Sequence, residues 1–224
     1  MSLNSSLDSV ARRDSARRLG RALGLSWSAS LWFLTLAIAF GSWALVTIGI
    51  ERAMPHMAYH ARLRPVALYS HVILAPAALA LVPFQLWHGL RRRRAALHRW
   101  LGRVYGVVIL LASLSGFWLA VTTEAGSIAA FGFGLLAIVW LGTTVIGIGE
   151  AMQGDYIAHR RWIIRSVAAT LAAVTLRLLI IGSEVAGWDS DGVYQAIAWL
   201  CWVPNMILAE LYLRLGPTRQ RRVA

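Results

Sequence analysis

Lysine is absent from this sequence: all 22 basic residues are arginine. That uniformity reads as a genome-composition bias rather than a functional choice. Cysteine occurs once, as Cys201 in an apolar run, which excludes an intramolecular disulfide and any cysteine-based metal cluster. Charge of either sign is scarce, at 14% of the residues against about a quarter in a soluble domain. No phosphate loop, zinc-protease helix, serine nucleophile elbow or dinucleotide fingerprint occurs. Nor is any polar stretch long enough to enclose a core of its own. What fills the chain instead is apolar sequence, 58% of residues with a mean hydropathy of +0.60, together with eleven tryptophans.

The apolar residues come in long blocks, and a bilayer-spanning helix needs about 20 of them. Six blocks qualify: Ala22 to Ile50, Pro65 to Leu90, Val104 to Thr123, Ala125 to Gly149, Trp162 to about Ser183, and Gly192 to Leu213. The expected fold is therefore an all-α polytopic bundle over residues 22–214. A polar Arg/Ser-rich arm (1–21) precedes it and a basic tail (215–224) follows. Ala37-Ile38-Ala39 loosely resembles a signal-peptide cleavage site. The apolar run continues far past it, however, so the first block reads as an uncleaved anchor. The third and fourth blocks share only a tight connection around Glu124, Ala125 and Gly126, so those helices should form an antiparallel hairpin.

The net charge of +12 raises the question of nucleic acid, and its placement answers it. With six spans, four arginine groups fall on one side: Arg12 to Arg21, Arg91 to Arg103, Arg160 to Arg165, and Arg214 to Arg222. The other side receives Arg52, Arg62 and Arg64 with Glu51, Glu124, Glu184, Asp189 and Asp191. This is the positive-inside pattern. It places both termini in the cytoplasm of a bacterial inner membrane and makes a nucleic-acid partner unnecessary. Trp27, Trp87, Trp100 and Trp162 sit at the arginine-rich boundary, as interfacial aromatics do. Gly102 and Gly106 at the start of span three, with Gly132, Gly134, Gly142, Gly147 and Gly149 in span four, allow close helix approach. Pro76, Pro83 and Pro204 should bend spans two and six.

Polar groups at membrane depth are costly and ask for a partner, a cavity or a ligand. Two octapeptides stand out, His98-Arg99-Trp100-Leu101-Gly102-Arg103-Val104-Tyr105 and His159-Arg160-Arg161-Trp162-Ile163-Ile164-Arg165-Ser166. Each opens an outgoing helix at the same boundary, and one helix face holds His98, Gly102 and Tyr105 in the first and His159, Trp162 or Ile163, and Ser166 in the second. Two histidines at equal depth on different helices suit axial ligation of one haem b iron. His98 and His159 would be the metal ligands, with His88 as a substitute. Arg103 and Arg165 would lie near the propionates. The bland reading makes both motifs interfacial anchors.

A second group is His71, about 9 Å into span two, and Arg177, about 22 Å along span five, at 1.5 Å per residue. Both fall in the outer half of the bilayer. With Tyr69 or Glu184 as further partners, they suggest a ligand pocket or a structural clamp. Glu210 and Arg214 have the i, i+4 spacing of a self-satisfied pair. His56 and His60 read as solvent-exposed.

Residues from about Ala67 to Arg177 resemble a family of bacterial predicted membrane proteins known only as domain of unknown function 2306. The resemblance rests on His71, Pro83-Phe84-Gln85, the two octapeptides and Val174-Thr175-Leu176-Arg177. It implies a multi-pass membrane protein and no established activity. Leu97-His98-Arg99-Trp100-Leu101-Gly102 is also similar to the Leu-His-Ser-Trp-Leu-Gly run that supplies a haem histidine in cytochrome b561-type bundles, differing at Arg99. Span four has no histidine, so the similarity implies one haem rather than two. The expected function is haem b electron transfer to or from a quinone or small acceptor, a membrane oxidoreductase role. The alternative is a cofactor-free transporter, lipid-binding protein or membrane assembly or structural factor.

Overall fold

A computed structural model describes residues 26, 28–54, 57–188 and 190–215. The expected basic arm, Trp27, His56, Asp189 and the tail arginines Arg219, Arg221 and Arg222 lie outside the described residues. Six helices are long and apolar enough to cross a membrane, as expected from the six blocks. Four are continuous: α1 (Ser28–Ile48), α4 (Pro65–Leu86), α6 (Ala95–Val121) and α7 (Ser127–Met152). Spans five and six are each broken, into α8 (Tyr156–Thr170) and α9 (Ala172–Val185), and into α10 (Asp191–Leu200) and α11 (Val203–Leu215). Short helices α2 (Ile50–Ala53), α3 (Ala58–Leu63) and α5 (His88–Arg93) connect spans.

Each interruption has a local cause. Pro204 has no N–H to give the Leu200 carbonyl and its ring crowds that oxygen, so span six opens at Cys201 and Trp202. In span five the Thr170 hydroxyl bonds back to the Ser166 carbonyl at 2.8 Å, a contact that bends helices, and the turn falls at Leu171. Pro76 and Pro83 leave α4 unbroken. Near Pro76, the Ile73 carbonyl accepts the Trp43 indole N–H at 2.9 Å, which ties α1 to span two. Asp155 caps α8 by accepting from the Ile157 and Ala158 amides. The hairpin between α6 and α7 forms as expected, with Gly126 at φ +92°, a backbone region favouring glycine.

In the centre, α6 packs between α4 and α7, and α7 packs between α6 and α8. The core joins Ala78 and Val82 of α4, Tyr105, Ile109 and Ala112 of α6, Trp140 of α7, and Val167 and Ala169 of α8. Small residues here let backbones approach, since lipid supplies no hydrophobic drive to hold helices together. Ala39 of α1 seats against Leu79 and Val174, and α10 and α11 flank α7 and α8. The opposite faces are apolar and open: Val107, Leu114, Trp118, Phe131 and Ile138 are each more than half exposed. Such a surface suits acyl chains and would aggregate in water.

His60 corrects an expectation. It is buried, at 1% exposure, because α3 folds back over the apolar cluster of Ile50, Leu68 and Leu119. Its ring lies against Tyr59 and its Nδ1 has no partner. Burial and the Arg64 guanidinium hold its pKa below the ordinary 6.5. The unfolded chain therefore binds the proton first, and stability should fall as pH drops through and below about 6.5. Thermal unfolding of the detergent-solubilised protein between pH 7.5 and 5 should show this slope in wild type and a flatter one in His60→Gln. Equal slopes would remove His60 as the cause.

Candidate functional site

The two octapeptides open α6 and α8, which both pack against α7 and reach each other through side chains. His98 is the fourth residue of α6 and His159 the fourth of α8. Seven residues further in, the two last residues of the motifs touch: the Tyr105 hydroxyl lies 3.2 Å from Ser166 Oγ and 2.9 Å from Thr170 Oγ1. The Trp140 indole donates to Thr170 Oγ1 at 2.8 Å, and Thr144 Oγ1 lies 2.7 Å from Ser166 Oγ. All five side chains are buried. The network fastens α6, α7 and α8 and leaves their hydroxyls satisfied, as an interior without water requires.

Nearer the boundary the polar groups are not all satisfied. The His159 ring is fixed through Nδ1 to the Gly147 carbonyl at 2.6 Å. The His98 ring lies within electrostatic reach of it, yet His98 Nδ1 is buried with no partner. Gln85, at the end of α4, presents its side chain to Gly102, one turn along α6 from His98. A Cβ built on Gly102 would stand 3.7 Å from Gln85 Oε1. Gln85 Nε2 is also buried and unpartnered. Each buried nitrogen without a partner costs about 1–3 kcal/mol, so among the described residues this end of α6 carries two donors that a further polar partner would satisfy.

The other residues expected around the haem take different places. Arg165 makes a two-pronged ion pair with Glu210, at 2.5 and 3.1 Å, and stacks over Trp162. Its charge is thus already matched within the protein. This also corrects the expected Glu210–Arg214 pair. Arg103 is exposed. His88 does not continue span two; it stands exposed on α5. The Tyr105–Ser166 contact closes the space between α6 and α8 one layer below the histidines. A macrocycle held by His98 and His159 would have to extend towards the boundary instead.

The outer group is divided among different partners. His71 Nδ1 lies 2.9 Å from the Ala112 carbonyl, and its ring fills the notch at Gly116, where a Cβ would come within 2.7 Å. It clamps spans two and three. Tyr69 is 40% exposed. Arg177, in α9, donates to Met54 Sδ at 3.6 Å, and the tyrosine within its electrostatic reach is Tyr194 of α10. A thioether is a weak acceptor for a guanidinium. Among the described residues, no group of three or more histidine, cysteine or acidic side chains is placed to hold a metal ion.

Sequence reasoning missed Gln85 and Asn205 as organising groups. Asn205, beside Pro204, donates to the Cys201 carbonyl and to Thr175 Oγ1, at 3.1 and 3.0 Å. It also reaches the Ala168 carbonyl at 3.5 Å. It therefore joins the break in span six to the break in span five. Both residues are single uncharged amides inside apolar spans, and that rarity was the available signal.

The chain belongs to the family of predicted membrane proteins designated DUF2306, whose model matches residues 68–213. The match takes in every element of the motif pair, together with Gln85, Asn205 and Glu210. No curated protein and no solved structure matches the chain.

Proposed function

We propose that this is a ligand-binding protein of a bacterial cytoplasmic membrane, with its arginine-rich end in the cytoplasm. The ligand is a small amphiphile whose head carries hydrogen-bond-accepting oxygens, as a membrane quinone does. The observation that carries this reading is the pair of buried, unpartnered nitrogens, Gln85 Nε2 and His98 Nδ1, over one face of α6. An amide N–H and an imidazole N–H one helical turn apart can each donate to an oxygen of such a head. His159, held by Gly147, forms the far side. Burial at the mouth of the bundle lets an apolar tail remain among lipid while the head turns inward.

A site that leaves donors unsatisfied has a signature. Replacing Gln85 by leucine removes a buried donor without leaving a charge, so stability should hold or rise. Affinity for the ligand should fall roughly five- to tenfold, the value of about one hydrogen bond. Quenching of tryptophan fluorescence by a short-chain quinone, titrated into detergent-purified wild type, Gln85→Leu and His98→Leu, reads the affinity. Thermal unfolding reads the stability. Quinone affinity unchanged in both variants would overturn the proposal, as would a Gln85→Leu protein that unfolds far more readily.

One observation favours a second reading. A histidine that engages a carbonyl through Nδ1 presents Nε2 for another partner, the arrangement usual for metal-bound histidines. His159 has it. Haem b held by His98 and His159 would add one-electron chemistry to the same bundle. An absorption spectrum after expression with ample haem precursor separates the two. A Soret band lost in His98→Ala and His159→Ala would replace the first reading by the second, whereas a featureless spectrum from folded protein leaves the cofactor-free site.

A further inference from the structure

A cleft of about 910 Å³ lies at the arginine-rich end and outside the two histidines of the motif pair. Trp87, His88, Arg92, Arg93, Arg94 and Leu97 line it, with no acidic residue among its walls. Among the described residues the ion pairs are Arg62–Glu51 and Arg165–Glu210, so the three arginines of the cleft have no carboxylate within salt-bridge distance. The frame is firm. Leu90 anchors α5 in the protein, and the Arg91 and Arg94 amides close turns onto the Trp87 and Leu90 carbonyls. The Trp87 indole lies so close over Gly89 that a Cβ there would come within 2.9 Å of its nitrogen.

From this we infer a binding site for the phosphate-bearing head of an anionic phospholipid. Three guanidinium groups can meet phosphodiester oxygens with paired N–H donors. The cleft begins immediately after Leu86, the last residue of α4, where the apolar span gives way to arginines. Trp87 and Leu97, 51% and 40% exposed, give an apolar wall that a glycerol backbone and its first methylenes would cover and that a free phosphate would leave bare. The absence of a carboxylate in the walls selects against zwitterionic heads, whose ammonium would meet only positive charge. Basic pockets at the membrane boundary of helical proteins suit anionic lipid for these reasons.

The test uses the full chain in mild detergent, titrated with short-chain phosphatidylglycerol, phosphatidylcholine or inorganic phosphate. Bound lipid is counted by native mass spectrometry and protection by thermal unfolding. Phosphatidylglycerol should bind at least tenfold more tightly than phosphatidylcholine and weaken with salt. R92Q/R93Q/R94Q should lose about fivefold per arginine, on the order of 100-fold together. Removing three arginines also weakens the topology signal, so R92K/R93K/R94K, which keeps the charge, is the companion variant. It should insert normally and lose only a few-fold through its single-point ammonium groups. Equal binding of the two lipids, or full retention of phosphatidylglycerol by the glutamine variant, would overturn the inference. Protection by inorganic phosphate equal to that by phosphatidylglycerol would also overturn it, by making the site one for a free anion.

Discussion

Tyr105→Ala should destabilise the folded bundle by about 3–5 kcal/mol, the cost of deleting a large side chain from a packed core. Tyr105 is 2% exposed and lies in the central cluster, and its hydroxyl holds Ser166 and Thr170 of the opposite helix. Tyr105→Phe keeps the ring and removes only those bonds. In a membrane interior such bonds average well below 2 kcal/mol, because alternative partners exist; here Thr144 and Trp140 still satisfy Ser166 and Thr170. The phenylalanine variant should therefore cost about 1 kcal/mol. Unfolding in mixed detergent, with Ser166→Ala as the partner in a double-mutant cycle, separates ring from hydroxyl. A Tyr105→Ala protein within 1 kcal/mol of wild type would mean that the motif pair does not fasten the spans.

That junction was half legible in the sequence. The first, fifth and eighth positions of each octapeptide share a helix face by helical geometry alone, so equal depth followed once both opened outgoing helices. Helix starts were less visible. α6 begins at Ala95 and α8 at Tyr156, ahead of the expected Val104 and Trp162, because hydropathy marks the hydrocarbon boundary and not the end of hydrogen bonding. Those extra turns carry His98 and His159 inside their helices. They also leave span two ending at Leu86, so that α5 bends away with His88.

Partner choice across helices was not legible. Glu210 has Arg214 at helical spacing, worth only a few tenths of a kcal/mol. A two-pronged bond to Arg165 from a neighbouring span is stronger, but only packing brings the two together. His60 shows the same limit: its sequence surroundings are those of a loop, and its burial comes from α3 folding onto residues of α4 and α6. His71 and Arg177 lie inside the span helices α4 and α9. Their depth could be counted, yet the direction each side chain takes around its helix could not. One turns to the Ala112 carbonyl and the other to Met54.

Gly132→Leu should have the largest effect of any single addition to the bundle. A Cβ at Gly132 would stand 3.0 Å from the Ala198 carbonyl oxygen, 3.1 Å from its carbon and 3.0 Å from the Trp199 indole nitrogen. Two of those three atoms are backbone, so no rotamer change relieves the contact and α10 itself has to shift. That shift would strain the two bonds that pin α10 to span four, from Gln195 to the Ala125 carbonyl and from Trp199 to the Ile128 carbonyl. Overpacking a well-filled site costs about 1–3 kcal/mol, and more where backbone must move, so a loss of about 3 kcal/mol or greater is expected. Gly142→Leu is the control, with nothing within 4 Å of its Cβ position; it should stay within about 0.5 kcal/mol of wild type. Both substitutions add the same apolar side chain to the same helix, so unfolding in detergent compares contact alone. Equal stabilities would mean that span four and α10 do not pack as closely as their backbones indicate. A selective loss at Gly132 would show that glycine is there to let span six approach.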